Sequence, residues 1–87
     1  MPYAIRFAPA ADREFRSLPS HIQARIRPRI DALVDDPRRP GVIKLAGNGD
    51  RYRIRVGDFR VIYEIRDAVL VVTVVRVAHR KEAYRRP

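Results

Sequence analysis

Arginines on one predicted β-hairpin could bind an anion. The segment 51–56 alternates polar and apolar residues, and Gly57-Asp58 is a favoured two-residue hairpin turn before a return strand. Pairing outward from this turn sets Arg55 opposite Arg60, with Arg53 on the same face. Because directly opposed like charges destabilise a pair of strands, this arrangement indicates an anion-binding face. A solvated face, with the arginines held apart by water, is the alternative.

The basic tail could add to such a site. If residues 79–84 are helical, Arg80 and Tyr84 lie at i and i+4 on one face. An arginine beside a phenol suits a phosphodiester: the guanidinium would stabilise the charge of the phosphorane, while the tyrosine would stack on a base or protonate the leaving oxygen. The alternative is that Tyr84 anchors the tail by apolar contact and Arg80 is ordinary basic surface.

The first half of the chain predicts a strand and two helices. An alternating segment at 3–7 predicts the strand, and apolar residues at helical spacing predict two helices separated by Pro19. Ser20 and Gln23 match a capping box at the start of the second helix. Pro28 removes a backbone hydrogen bond, so we expect a kink or a break there.

The second half predicts three antiparallel strands: the two of the hairpin and the segment 69–75, which is nearly all β-branched and is expected to be buried on both sides. Residues 37–50 are loop-like, interrupted by the short apolar run 42–45. The expected fold is α+β: an N-terminal strand, a helical hairpin, and a three-stranded meander, with one sheet packed on the helices. Without a repeat or a composition break, residues 1–87 predict a single domain.

Charge and composition narrow the function. Of the 87 residues, 19 are Lys or Arg and 10 are Asp or Glu, and the net charge of +9 favours a polyanionic partner. The absence of cysteine excludes disulfides, thiolate zinc sites and cysteine nucleophiles. His21 and His79 lie far apart, so we expect neither a metal nor a cofactor. With no signal-peptide core and no membrane-length apolar run, we expect a cytoplasmic protein without membrane contact.

The sequence resembles the RelE/ParE superfamily of bacterial toxins, in particular its RelE branch. The resemblance rests on Lys44-Leu45 before a glycine-rich turn, on YRIRVGDFRVIYEI at 52–65 and on VAHRKEAY at 77–84, and it covers essentially the whole chain. It implies a RelE/ParE-like fold and a metal-independent endoribonuclease that cuts mRNA in the ribosomal A site. It also implies a cognate antitoxin, which we expect to bind through an acidic, partly helical segment in a hetero-oligomeric complex.

The resemblance assigns catalytic roles to residues that the hairpin register and the helical spacing also select: Arg53, Arg55, Arg60, Arg80 and Tyr84. Four further basic residues are candidate RNA contacts: Lys44, Arg51, His79 and Lys81.

The two basic residues on the first hairpin strand are lysines in the best-known members of the superfamily, and one of those lysines is proposed to help activate the 2′-hydroxyl. Here they are Arg53 and Arg55, and arginine, with a pKa above about 12, is a poor general base. We expect these two side chains to bind phosphate instead. Activation of the 2′-hydroxyl would then fall to His79, to Glu64 or to the surrounding ribosomal RNA.

Two other functions are open from the sequence. A ParE-like protein would inhibit DNA gyrase by binding it, without nuclease activity, although Tyr84 and the arginine cluster argue against this. A basic module could instead bind RNA or the ribosome without catalysis.

Overall fold

The computed structural model describes residues 2–47 and 49–82, in which two helices pack on one face of a five-stranded sheet. The elements are β1 (Ala4–Phe7), α1 (Pro9–Arg16), α2 (Ser20–Asp31), β2 (Ile43–Lys44), β3 (Arg51–Val56), β4 (Phe59–Arg66) and β5 (Val71–His79). The predicted α+β class is confirmed. The sheet has one strand more than predicted, because part of the short apolar run at 42–45 pairs with β3 as β2.

The strand order is β1-β5-β4-β3-β2, with β1 parallel to β5 and the other neighbours antiparallel. Two faces result. The helix-covered face packs on α1 and α2, and the opposite one is called the open face below. Neither helix among the described residues is long and apolar enough to cross a membrane.

The core lies between the helices and the helix-covered face. Helix α1 contributes Ala11 and Phe15, and α2 contributes Ile26 and Ile30. The buried strand residues are Tyr52, Ile54, Val56, Val61, Tyr63, Ile65, Val72, Val74 and Val77. Pairing outward from the Gly57-Asp58 turn predicts that alternating hairpin residues share the core face, and they do so, with Phe59 half-buried at its rim: Tyr52, Ile54, Val56, Phe59, Val61 and Tyr63.

Helix α2 begins differently from the prediction. Its N-cap residue is Pro19 rather than Ser20, and no side chain caps the first turn. The side chain of Gln23 turns back to α1 instead, where its Nε2 donates to the carbonyl oxygens of Leu18 at 2.8 Å and Arg16 at 3.2 Å. The capping-box prediction is therefore wrong, and Gln23 joins the two helices.

The expected break at Pro28 does not occur, and α2 continues to Asp31. Pro28 and Ala24 are both exposed, so the Ala24 carbonyl that loses its helical partner can bind water. A short 3-10 turn, Ala32–Val34, follows.

Strand β5 is not buried on both sides as predicted. Val72 and Val74 are fully buried on the helix-covered face, whereas the alternating Val71 and Thr73 are half-buried, because the helices cover only one side. The strand also starts later than expected, since Val69 is 65% exposed in a 3-10 turn.

Candidate functional site

The predicted hairpin register is confirmed, and it places Arg53, Arg55 and Arg60 on the open face. Arg55 is the Cα partner of Arg60, and Arg53 is the partner of Ile62. The two-residue turn sets this register. Gly57 has a φ of 59°, a left-handed value that glycine adopts without strain and that a type II′ hairpin turn needs at its first position.

Arg60 is half-buried, and its guanidinium is incompletely bonded. Its Nε and Nη1 atoms are buried and have no hydrogen-bond partner in the described part of the chain. Burying charged donors without acceptors is costly. An anion bound beside Arg60 would supply the missing acceptors and compensate the like charge of Arg55.

An apolar floor underlies these arginines. Ile62 and Ala78 are only 5% and 8% exposed although they lie on the open face, where Leu45 and Val75 pack against them. Ala78 is also the Cα partner of Arg60. Low polarity around a charged group strengthens its attraction for an anion, so the floor favours ion pairing at Arg60.

Arg80 follows β5 at the turn end of the hairpin. Its backbone N–H donates to the Asp58 carbonyl at 2.7 Å, and its Nε lies 4.0 Å from Asp58 Oδ1 in an exposed, weak ion pair. Arg80 is two residues beyond Ala78, so it lies next to the pair formed by Arg55 and Arg60. Tyr84 lies outside the described residues. Residues 80–82, which are described, form a turn in which the Glu82 N–H donates to the His79 carbonyl.

Lys44 does not lie with the arginines. Its partner in the β2–β3 register is Tyr52, and its Nζ lies 5.9 Å from the centroid of the Tyr52 ring on the helix-covered side. Lys44 stays a candidate RNA contact, but it lies on the other side of the sheet from Arg60, because the β2–β3 pairing sets it opposite Tyr52. Arg51 does lie on the open face, but its Nε donates to Glu64 Oε2 at 2.9 Å.

His79 and Lys81 flank Arg80. The imidazole of His79 contacts Phe59 edge-on, with ring centroids 5.7 Å apart, because these residues are Cα partners on the helix-covered side. His79 Nδ1 accepts the backbone N–H of Lys81 at 3.2 Å. His79 therefore does not share the open face with Arg60, whereas the side chain of Lys81 is exposed in the turn.

A second arginine centre, which the sequence did not indicate, lies at the opposite end of the sheet. Arg38 donates through Nη1 and Nη2 to both carboxylate oxygens of Asp67 at 3.0 and 2.9 Å, and through Nε to Tyr52 Oη at 3.2 Å. Tyr3 Oη also donates to Asp67 Oδ1 at 2.6 Å. The Arg38 guanidinium and then the Tyr3 hydroxyl lower the pKa of Asp67 to about 2.

Tyr63 supports this second centre from the core. Its hydroxyl donates to the Pro37 carbonyl at 2.6 Å, and its ring stacks on that of Tyr52. Burial raises the pKa of Tyr63 well above its ordinary value. These bonds fix the loop that carries Arg38, so this centre is structural and its charges are satisfied within the fold.

The open face can therefore bind a phosphate through guanidinium groups. Three arginines lie on neighbouring strand positions over an apolar floor, and Arg80 lies beside them. Within residues 2–47 and 49–82, no group of three or more His, Cys, Asp or Glu side chains is placed to hold a metal ion.

Comparisons with known proteins assign the chain to a class, the toxins of type II toxin-antitoxin systems. Residues 5–84 match the family described as the ParE toxin of the type II toxin-antitoxin system parDE. Toxin RelG of Mycobacterium tuberculosis is 33% identical over 87 residues, spanning 99% of this chain and all of that protein. The mRNA interferase toxin RelE of Escherichia coli K12 is 28% identical, spanning 95% of this chain and 88% of that protein.

The similarity extends to three-dimensional structure. The crystal structure of the toxin-antitoxin complex RelBE2 from M. tuberculosis contains a chain that superposes with a TM-score of 0.80 at 30% identity, covering 91% of this chain and 99% of that one. The chain belongs to the RelE/ParE superfamily of type II toxins, which confirms the resemblance found in the sequence.

Proposed function

We propose that this toxin is a ribosome-dependent endoribonuclease that cuts mRNA in the A site without a metal ion. The observation that carries the proposal is the half-buried Arg60 guanidinium, which lacks acceptors within the described residues and faces Arg55 across the strands. A phosphodiester supplies what this pair lacks, namely negative charge and several acceptor oxygens. Similarity to a protein named as an mRNA interferase supports the same activity.

In the proposed reaction, the RNA 2′-oxygen attacks the adjacent phosphorus in line while the bond from phosphorus to the 5′-oxygen breaks. The products are a 2′,3′-cyclic phosphate and a 5′-hydroxyl, and the leaving oxygen takes up one proton. Arg55, Arg60 and Arg80, with Arg53 along the same strand, hold the phosphate and stabilise the charge that develops on it. Tyr84 is proposed to stack on a base or to protonate the leaving oxygen.

The base that removes the 2′-proton is proposed to come from the ribosomal surroundings. Glu64 lies four residues from Arg60 along β4, a distance of about 13 Å, and it is already paired with Arg51. His79 contacts Phe59 on the other side of the sheet. The strand positions next to the arginine pair on the open face are Ile62 and Ala78, which cannot accept a proton. A toxin with this arrangement would need the ribosome for catalysis.

An antitoxin is the second proposed partner. The similar M. tuberculosis chain was crystallised as a toxin-antitoxin complex, and a net charge of +9 favours an acidic partner segment. We propose that the antitoxin binds through such a segment, partly helical, in a hetero-oligomeric complex.

The experiment that tests the nuclease is primer extension on an mRNA translated in a purified system, comparing the wild type with Arg60→Ala. The wild type should produce cuts in phase with codons, and Arg60→Ala should cut at least 100-fold more slowly, because it removes charge stabilisation in the transition state. Arg66→Ala is the matched control, since Arg66 lies on the same strand and face at the far end and is exposed. If the wild type makes no cuts, or Arg60→Ala cuts as fast as Arg66→Ala, the proposal is wrong.

A second candidate, a ParE-like inhibitor of DNA gyrase, is favoured by the family match at residues 5–84. A supercoiling assay run beside primer extension separates the two. Gyrase inhibition without mRNA cuts would establish the second candidate in place of the first.

A further inference from the structure

Helix α2 carries cations that neither the core nor the proposed cleavage site uses. His21, Arg25 and Arg29 lie at i, i+4 and i+8, so they form one flank of the helix at intervals of about 6 Å. All three are exposed.

The acidic residues of the helical hairpin do not neutralise the positive charge of this flank. Asp12 pairs with Arg16 at 3.1 Å, Asp31 pairs with Arg27 at 3.1 Å, and the remaining helical carboxylate, on Glu14, binds Arg76 of β5. Arg25 and Arg29 have no carboxylate partner among the residues that the structure describes. Their charge is therefore available to a ligand.

Arg25 extends this flank to the tip of the β3–β4 hairpin. A Cβ atom added to Gly57 would lie 2.9 Å from Arg25 Nη2, so the guanidinium packs directly on the turn. From β3, Arg55 donates through Nε to the Gly57 carbonyl at 3.1 Å. Guanidinium groups of α2 and β3 thus meet at one glycine, and the turn joins the helical flank to the open face.

The result is a continuous run of cations around the hairpin tip, called the tip track here: Arg29, Arg25, Arg55, Arg60 and Arg80. Asp58 is the acidic residue within it, 4.0 Å from Arg80. We propose that Arg25 and Arg29 bind phosphates of an RNA backbone that continues past the proposed cleavage site. This inference rests on the proposed nuclease function and extends its substrate contacts to the helical side.

Two features favour RNA over an acidic protein segment. The track consists of arginines, whose planar groups bind phosphate through two parallel hydrogen bonds. It is also continuous with the arginine pair at Arg60, so one extended polyanion can contact both parts. The proposed ligand is the mRNA strand itself, since it alone continues from the cleavage site, and a ribosomal duplex with the same phosphodiester groups is an alternative outcome of the test.

The test measures binding of uncleavable RNA to Arg25→Gln/Arg29→Gln by fluorescence anisotropy at several salt concentrations. The probes are a 12-nucleotide single strand and a stem-loop duplex, both 2′-O-methylated so that cleavage plays no part. Loss of two phosphate contacts should lower the slope of log affinity against log salt by about 1.4 for the single strand, and should weaken binding roughly 10- to 30-fold near 0.1 M salt. The affinity gained on lengthening the strand from 4 to 12 nucleotides should also disappear.

The matched control is Arg16→Gln/Arg27→Gln, which removes the same charge from paired arginines of α1 and α2. Thermal unfolding of both variants checks that they fold. A loss specific to the first variant on the single strand supports the proposal, whereas a loss confined to the duplex would overturn it and assign the contact to ribosomal RNA. Equal affinities for the two variants would overturn it and leave the flank as a solvated or protein-binding surface. Because no probe can be cut, this result is independent of whether the toxin cleaves mRNA.

Discussion

Both ends of the β3–β4 hairpin carry arginine on the open face, but the positive charge faces a carboxylate at one end and another arginine at the other. At the end far from the turn, Arg51 lies opposite Glu64, and their ion pair closes at 2.9 Å. At the turn end, Arg55 lies opposite Arg60, and two buried nitrogens of Arg60 have no acceptor within the described residues. The same strand register therefore sets an arginine opposite a carboxylate at one end and opposite another arginine at the other end.

Along this single pair of strands, one end therefore contributes to stability, whereas the other is arranged for function. The compensated end continues into the contacts of Arg38 with Asp67 and Tyr52, which hold a loop against the sheet. At the turn end, Arg55 and Arg60 lie directly opposite each other, and directly opposed like charges destabilise strand pairing. Such a loss of folding stability is expected where side chains are arranged to bind a ligand rather than to stabilise the fold.

The largest effect should come from Arg60→Glu, which gives the turn end the charge pattern of the other end. A carboxylate opposite Arg55 replaces repulsion by an attraction of about 0.2–1 kcal/mol, so the thermal midpoint should rise by a few degrees. The phosphate would meet a negative charge in place of a guanidinium, and mRNA cleavage should fall at least 100-fold. Thermal unfolding and primer extension measure the two changes.

The control for this exchange is Arg66→Glu, which makes the same charge change on the same strand and face, six residues away. Cleavage by Arg66→Glu should stay within about threefold of wild type. If Arg60→Glu cleaved at the wild-type rate, or if both variants lost cleavage equally, the turn end would have no special part in the reaction.

The turn end could be predicted because its determinants are local. Alternation from Arg51 to Val56 and a glycine at the first turn position are enough to specify which residues face each other. The exposure of Arg60 could not be predicted in the same way. Two of its nitrogens are buried, and burial of a side chain on this strand depends on residues from other strands, such as its β5 partner Ala78, whose position no local spacing reports.

At the compensated end, the same register also sets Arg51 opposite Glu64, but the contacts of Arg38 were missed because they join distant segments. Arg38 and Asp67 are 29 residues apart in regions predicted only as loop and turn. Strand β2 has two residues, too few to show alternation, so the side of the sheet on which Lys44 lies could not be predicted. The contact of Arg25 with the turn at Gly57 could not be predicted either, because it depends on how α2 packs on the sheet.

Tyr63→Phe should have the next largest effect, and it should affect stability alone. Removing the hydroxyl leaves the Pro37 carbonyl without its donor beside the fully buried Tyr63 ring, and an unpaired buried acceptor costs about 1–3 kcal/mol. Urea unfolding should show a lower midpoint with an unchanged slope. Tyr3→Phe removes a hydroxyl at the same end in a more exposed position, so its cost should be smaller. A loss of cleavage by folded Tyr63→Phe would show that the two ends are coupled.

Glu64→Gln should have a smaller effect. It converts the compensated pair into an arginine facing a neutral side chain, and since both partners are at least partly exposed, the free energy of unfolding should fall by less than about 1 kcal/mol. Cleavage should stay within about threefold of wild type. A fall of 100-fold or more would instead identify Glu64 as the base that activates the 2′-hydroxyl, and the proposed reliance on the ribosome would be wrong.

The smallest effect concerns the acid sensitivity of the compensated end. Bonds from Arg38 and Tyr3 lower the pKa of Asp67 to about 2 in the folded protein, against an ordinary value of about 3.9. A lowered folded-state pKa contributes stability that is fully present above about pH 4 and is lost as the pH falls through about 2. The thermal midpoint of the wild type should therefore exceed that of Asp67→Asn at pH 5, and the gap should narrow towards pH 2. A gap that stays constant over this range would mean that the Asp67 carboxylate adds nothing through its charge, and that only the shape of the contact matters at this end.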